Sequence, residues 1–188
     1  MDYLKLYNLE KYLFDDVKAS FEKNRKLSAF DFFCIIIWKA NRAKSKIARR
    51  LLAQERSSGN DLNNIVERLT SEIAKAEDDK ERMRILVEEW AFRLPMASAI
   101  LTVLYPSSFT VYDVRVCKEL KGYHEVQDKT RFADLWTGYQ EYLKDVRNSE
   151  PTVSALRDKD RTLWARSFED DLKRDIAGLF KKEPEQDN

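Results

Sequence analysis

The scarcity of glycine and proline is the feature that most limits what this chain can fold into. Only 4 glycines and 4 prolines occur among its 188 residues. Hairpin turns between strands depend on glycine in particular, because their backbone adopts positive φ angles that other residues avoid. A sheet built from hairpins would lack its turns, and the sequence therefore predicts an all-α fold of about eight helices.

The spacing of apolar residues locates these helices. Leu6, Leu9 and Leu13 recur at helical spacing in the first, which is predicted over residues 3–22. Ser28 and Asp31 form an approximate capping box that opens a helix through "FDFFCIIIWKA", although the triple isoleucine also fits a strand. Further helices are predicted at 61–76, 79–92, 95–104, 114–121, 130–147 and 157–180, and the polar tail 181–188 is expected to be frayed.

Composition argues against a membrane span, a signal peptide, a disulfide and a metal site. No apolar stretch approaches the roughly 18 to 20 residues of a bilayer span, and "MDYLKLYNLEKYLF" mixes charge with apolar residues, unlike a signal peptide. We therefore expect a cytoplasmic protein with no membrane partner. Cys34 and Cys117 lie in apolar surroundings and are predicted to be reduced core residues. Since no cysteines or histidines are paired at ligand spacing, we predict no metal and no cofactor.

Positive charge is concentrated between residues 39 and 50, although the net charge of the chain is only +1. Such a concentration is typical of a track for nucleic-acid phosphates, whose neutralisation releases counterions. The alternative is a solvated helix face that pairs with acidic segments such as "EDDKE". The segment "KANRAKSKIARR" contains no acidic residue, and its basic residues are Lys39, Arg42, Lys44, Lys46, Arg49 and Arg50.

A second phosphate contact is predicted at the start of the helix over residues 95–104. Pro95 suits the first position of a helix, because its missing N–H would have no intrahelical partner there. The amides of Met96 and Ala97 would then be free to point at an anion, assisted by the helix dipole and by Arg93. The alternative is an ordinary helix start beneath a loop.

Asp113 stands directly before "VRVCKEL", between an apolar helix and the next helix. An aspartate at this position is a good N-cap, because its carboxylate accepts hydrogen bonds from the first amides of the helix. A carboxylate at a helix N-terminus also keeps its charge. Asp113 can therefore cap the helix and face a cleft at the same time.

The segment "LPMASAILTVLYPSSFTVYDVRV" resembles the central signature of the helix-hairpin-helix DNA glycosylase superfamily, which includes endonuclease III and the adenine, 8-oxoguanine and bacterial 3-methyladenine glycosylases. In that family a loop leads to a hydrophobic residue, the catalytic aspartate, and a polar residue two positions on. Here Val111 and Tyr112 stand at the hydrophobic positions, Asp113 at the aspartate and Arg115 at the polar position. Upstream, "AFDFFCIIIWKAN" is similar to the family's helix whose terminal turn meets DNA around the extruded nucleotide, which implies a DNA contact for Asn41.

The resemblance also implies a domain organisation, namely two helical lobes with a cleft between them at Asp113. Residues 28–120 would form the central lobe, with the hairpin-like segment and the catalytic aspartate. Residues 1–27 and 121–180 would form the second lobe, and 181–188 would be the frayed tail.

Three departures from the family pattern narrow the expected chemistry. The segment "WAFRLPMA" has no glycine to let the hairpin backbone approach a phosphate, so DNA anchoring here would need a different geometry. Pro95 stands where bifunctional members carry a nucleophilic lysine, and no lysine occurs between Lys80 and Lys118, which excludes Schiff-base chemistry at that position. Two cysteines cannot hold the four-cysteine iron–sulfur cluster of some members.

The resemblance thus implies a monofunctional DNA glycosylase that excises a modified or damaged base and leaves an abasic site. Asp113 would stabilise the oxocarbenium-like sugar and orient or deprotonate water. The extruded base would enter a pocket with Trp38 and Tyr112 as aromatic walls and Arg115 as a polar contact. For Trp38 the alternative is a simple core residue.

The expected partner is double-stranded DNA with a modified base, bound by a monomeric protein. Repair is one expected role, and defence against phages with hypermodified bases is another. Two other classes of protein fit the same sequence: a catalytically inactive DNA-binding module of this fold, and a helical protein-interaction domain, which suits the near-zero net charge. Salt-dependent DNA binding separates the last class from the other two.

Overall fold

The computed structural model describes residues 2–54 and 61–180, and every regular element in these ranges is helical, as predicted. The predicted frayed tail, 181–188, lies outside the described residues. Two π-helical turns (Leu13–Val17 and Ile85–Glu89) and two 3₁₀ turns (Asn41–Ala43 and His124–Asp128) interrupt or connect the α-helices. The α-helices are α1 (Tyr3–Tyr7), α2 (Leu9–Tyr12), α3 (Lys18–Asn24), α4 (Ala29–Ala40), α5 (Lys44–Ala53), α6 (Leu62–Lys75), α7 (Asp79–Arg84), α8 (Leu94–Leu104), α9 (Val114–Glu119), α10 (Phe132–Asn148) and α11 (Leu156–Ala177).

The single helix predicted over residues 3–22 is divided in the structure. α1 ends at Tyr7. The side-chain oxygen of the next residue, Asn8, accepts a hydrogen bond from the Lys11 amide at 3.3 Å and so starts a new helix. Asparagine side chains compete with the backbone in this way, which is why they break helices and favour caps. The chain then continues through α2, the first π turn and α3 until Arg25 adopts the left-handed conformation at φ 57°.

α4 begins as predicted, because the Oγ of Ser28 accepts a hydrogen bond from the Asp31 amide at 3.1 Å. The triple-isoleucine segment is helical, and Ile35 and Ile36 are fully buried. Helix α5 is an addition to the predicted set. Its two buried residues, Ile47 and Leu51, are four positions apart and hold an otherwise charged helix on the core.

The later helices lie close to their predicted bounds, with two differences. The helix predicted over 79–92 is α7 followed by a π turn, which ends at Glu89. α8 begins at Leu94 and not at Pro95, so the proline is the second helical residue.

One hydrophobic cluster extends from Leu13 to Leu163. α4 packs against α6 and α8, while α11 packs against α9 and α10. Cys34 and Cys117 are buried in this cluster and form no disulfide, as predicted. The cluster draws residues from both predicted lobes, and the division into lobes of helix-hairpin-helix type stays a prediction. Within the described ranges, no helix has the length and apolar character needed to cross a membrane.

Candidate functional site

Asp113 lies at the end of a buried segment that joins α8 to α9. A buried connecting segment must find partners for its backbone amides and carbonyls, because water cannot serve them. This requirement applies here, since four successive residues of the segment are buried: Phe109, Thr110, Val111 and Tyr112.

Buried hydroxyl groups of α8 and α10 supply these partners. The Ser98 Oγ accepts from the Tyr112 amide at 2.9 Å. The Tyr139 hydroxyl accepts from the Thr110 amide at 3.1 Å and donates to the Thr110 carbonyl at 2.7 Å. The Tyr142 hydroxyl donates to the carbonyl of Val111 at 2.8 Å. Burial raises the pKa of both tyrosines above the ordinary value, so the two hydroxyls stay protonated and able to donate.

Tyr139→Phe is expected to lower the free energy of unfolding by about 1–3 kcal/mol, because it leaves a buried amide and a buried carbonyl of Thr110 without a partner. Urea unfolding followed by circular dichroism measures the change. Tyr7→Phe is the matched control, since the Tyr7 side chain is exposed. Equal stability of the Tyr139 variant and the parent would contradict this role for the hydroxyl.

Asp113 caps α9 as predicted and also makes an ion pair. Its Oδ1 accepts from the Arg115 amide at 3.0 Å, and its Oδ2 lies 2.6 Å from the Nζ of Lys39. Both side chains of the pair are largely buried, with exposed fractions of 14% for Lys39 and 19% for Asp113. Lys39, predicted as a DNA contact, therefore reaches the carboxylate from the last turn of α4.

Asp113 borders a pocket of about 450 Å³, a volume within the roughly 300–1,000 Å³ of small-molecule sites. Elements far apart in sequence meet here, and the basic and acidic side chains are equal in number. The lining residues are Glu10, Trp38, Lys39, Val111, Asp113, Arg157, Asp160, Arg161, Trp164 and Ala165.

A buried ion pair forms part of the pocket wall. The Nη1 of Arg157 lies 2.6 Å from the Oδ2 of Asp160, whose side chain is only 3% exposed. Burial raises the pKa of Asp160, and the Arg157 guanidinium opposes that rise. Arg157 also bonds Glu10 and lies 5.1 Å from the ring centres of both Phe14 and Trp38.

The sequence pattern predicts a helix over residues 157–180 but not this ion pair within it. A signal for it was present in the spacing. Arg157, Asp160, Arg161 and Trp164 follow one another at intervals of three, one and three residues, which places them on one face of α11.

The three candidates for the base pocket are separated in the structure. Trp38 lines the pocket of about 450 Å³. Tyr112 is buried, donates to the Tyr123 carbonyl and lines a second pocket of about 190 Å³, which Lys39 and Asp113 also line. Arg115 bonds Asp171 with an Nη1–Oδ2 distance of 2.6 Å, and it lines neither pocket.

The predicted DNA contacts around α5 are exposed. Asn41, Arg42, Lys44 and Lys46 all lie at the surface, and the Asn41 Oδ1 accepts from the Lys44 Nζ at 2.7 Å. Arg50 differs, because its guanidinium packs 4.7 Å from the ring centre of Phe92 and burial lowers its pKa. The basic surface is therefore defined here as Arg42, Lys44, Lys46 and Arg49.

The predicted anion contact at the start of α8 is corrected by the structure. The amides of Met96 and Ala97 both donate to the Arg93 carbonyl at 3.0 Å, so neither is free to bind a phosphate. The physical reason is that α8 begins at Leu94, which turns both amides into the helix. The side chain of Arg93 is exposed.

Comparisons with protein-family models, with curated proteins and with solved structures give no match for this chain. Among the residues that the structure describes, no group of three or more histidine, cysteine or carboxylate side chains could hold a metal ion.

Proposed function

We propose that this protein is a monofunctional DNA glycosylase, which hydrolyses the N-glycosidic bond of a modified or damaged base at Asp113. One observation carries the proposal. Asp113, at the N-terminus of α9 and paired with Lys39, lies at the wall of a pocket of about 450 Å³ that two tryptophans also line.

The proposed reaction uses the negative charge of Asp113. As the bond between C1′ and the base breaks, its electron pair leaves with the base and the sugar becomes cationic. The carboxylate stabilises that cation, and it accepts the proton of the water molecule that adds to C1′. The departing base takes up a proton from solvent and Asp113 releases its proton to solvent, so the net reaction adds OH to C1′ and H to the base and leaves an abasic site. Lys39 and the Arg115 amide hold the two carboxylate oxygens in a defined orientation.

The rest of the pocket suits a flat heterocycle. Trp38 and Trp164 supply aromatic surface, while Arg157 and Asp160 supply donor and acceptor groups. Extruded bases are held in other enzymes by this combination of stacking and edge hydrogen bonds. Both a damaged base and a hypermodified phage base fit this description.

The substrate panel that tests the proposal consists of duplex oligonucleotides with one uracil, hypoxanthine, 8-oxoguanine, alkylated purine or hypermodified pyrimidine each. We expect one class to yield strand breaks after alkali and none before it, because hydrolysis leaves an intact abasic strand. Undamaged duplex is the control. If no member of the panel releases a base, the proposed activity is contradicted.

Double replacement of Arg42 and Lys46 by serine is expected to weaken DNA binding to all sequences alike. For each phosphate that the variant no longer neutralises, the slope of log affinity against log salt should fall by about 1. Fluorescence anisotropy over a range of salt concentrations measures both quantities. Lys23→Ser with Lys75→Ser is the matched control, since both lysines are exposed on other helices. Equal reductions of affinity in the two double variants would count against the basic surface.

The Lys39–Asp113 ion pair also favours a second candidate, a DNA-binding module of the same fold without catalysis. An ammonium group 2.6 Å from the carboxylate oxygen occupies one side of the proposed catalytic group. Salt-dependent binding without any abasic product would identify this candidate. Absence of DNA binding would leave the helical protein-interaction domain.

A further inference from the structure

Helix α11 carries a row of partly exposed apolar side chains. The Arg115 guanidinium lies 5.5 Å from the ring centres of two of them, Trp164 and Phe168, and covers the row only in part. The apolar row is defined as Trp164, Phe168, Leu172 and Ile176, which are 41%, 43%, 39% and 55% exposed. Beyond the helix it continues to Leu179 and Phe180, which are more exposed still. Within the helix, from Trp164 to Ile176, the row extends for about 18 Å at 1.5 Å per residue.

The spacing of the row points to a helix as its occupant. Its members are four residues apart, so they form one inclined ridge of the kind that packs into the groove of a second helix. Contiguous exposed apolar surface of this length marks an interaction site more often than a solvated surface.

Neither the remaining segments of the printed sequence nor DNA is a good binding partner for the apolar row. The parts of the sequence that the structure does not describe beyond Met1 are "ERSSGN" and "KKEPEQDN", and neither contains a large apolar residue. DNA is disfavoured because the row is apolar and the charges beside it balance, with four carboxylates (Glu169, Asp170, Asp171 and Asp175) and four basic side chains (Lys173, Arg174, Arg115 and Lys118).

The charged side chains beside the row are arranged so that they would meet opposite charges on a second, antiparallel copy of α11. On the side away from α9, Glu169 and Lys173 stand one turn apart, with Nζ and Oε1 2.5 Å from each other and both side chains well exposed. When two copies of α11 cross antiparallel at Leu172, Glu169 of each lies beside Lys173 of the other, because the two residues lie on one side of the row. On the side facing α9, Arg115 and Lys118 already bond Asp171.

We propose that α11 is a homodimerisation helix, in which a second copy of this chain packs its own α11 antiparallel across the apolar row with Leu172 at the twofold axis. Such an interface is isologous and closed, so assembly stops at the dimer. This proposal departs from the monomer predicted from the sequence.

Sedimentation velocity over a concentration series of the full chain tests the proposal. Leu172→Glu is expected to raise the dimer dissociation constant at least about tenfold, because it introduces a charge at the centre of the apolar contact. Leu52→Glu is the matched control, since Leu52 is 49% exposed on α5, outside the row. Circular dichroism confirms that both variants keep the parent fold.

Charge reversal tests the antiparallel arrangement separately. Glu169→Lys alone and Lys173→Glu alone should each weaken the dimer, whereas the two together should restore it, because the cross-helix pair is then rebuilt with opposite sign. A parent chain that is monomeric at every concentration would overturn the proposal. A dimer whose dissociation constant is unchanged by Leu172→Glu would also overturn it. So would a monomer that binds phospholipid vesicles through the row.

Discussion

Asp113→Asn is expected to slow base release by about 10²- to 10⁴-fold, the range attributed to a positioned acid or base in a reaction of this kind. The amide has the shape of the carboxylate but carries no negative charge, so it can neither stabilise the cationic sugar nor accept a proton from water. Single-turnover release of the base from the duplex that the substrate panel identifies measures the effect.

The fold should survive this substitution at reduced stability. The side-chain oxygen of asparagine can still accept from the Arg115 amide and cap α9, but the largely buried Lys39 loses its carboxylate partner. DNA affinity is therefore expected to stay close to that of the parent. Asp134→Asn is the matched control, since Asp134 is an exposed carboxylate near the start of another helix, α10, and pairs there with Arg131. If the Asp113 variant released the base as fast as the Asp134 variant, Asp113 would not be the catalytic group.

Arg157→Met is expected to lower the free energy of unfolding by about 3–5 kcal/mol at neutral pH, because it leaves the buried Asp160 carboxylate without its cation. The same change removes the guanidinium that lies beside the rings of Phe14 and Trp38. Glu10 keeps a partner, since the Nε of Arg161 lies 3.1 Å from its Oε1. The loss of stability should therefore centre on Asp160.

The pH dependence of this loss follows from the direction of the Asp160 pKa shift. In the folded parent the pKa lies above the ordinary value of 3.8, so the folded state binds the proton more tightly than the unfolded state. Stability therefore falls as pH rises from the unfolded pKa to the folded pKa. Without Arg157 the folded pKa rises further and that window widens. The deficit of the variant should then be smaller at mildly acidic pH than at neutral pH.

Urea unfolding of the parent and of Arg157→Met at both pH values measures these differences. Asp160→Asn in the Arg157→Met background should recover much of the missing stability, because it removes the buried charge that has no partner. A deficit that is the same at both pH values, or no recovery in the double variant, would contradict the assignment to the Asp160 charge.

Local features of the site could be predicted from sequence. The capping role of Asp113 depends on its own carboxylate and on amides within two residues of it, and the structure contains that cap. The helical start at Ser28 is local in the same sense. Local reasoning failed at Pro95, because a shift of the helix start by one residue was enough to occupy the amides of Met96 and Ala97.

The partners of Asp113 could not be predicted in this way. Lys39 is 74 residues away from it in sequence, and its side chain reaches the carboxylate only because α4 ends beside the N-terminus of α9. From the charge pattern it was indistinguishable from the exposed lysines Lys44 and Lys46. Tyr139 and Tyr142 show helical spacing typical of core residues, and only the packed structure assigns their hydroxyls to the segment before Asp113.

The sequence by itself determined that the chain is helical, where most helices lie and which residue caps α9, because these properties depend on turn residues, apolar spacing and neighbours within one helical turn. Only the tertiary structure decided that Asp113 meets Lys39, that Arg157 and Asp160 share its pocket, and that the apolar row of α11 stays exposed. Those outcomes depend on how helices distant in sequence pack against one another, and a charge or an apolar side chain is paired, buried or exposed only after that packing exists.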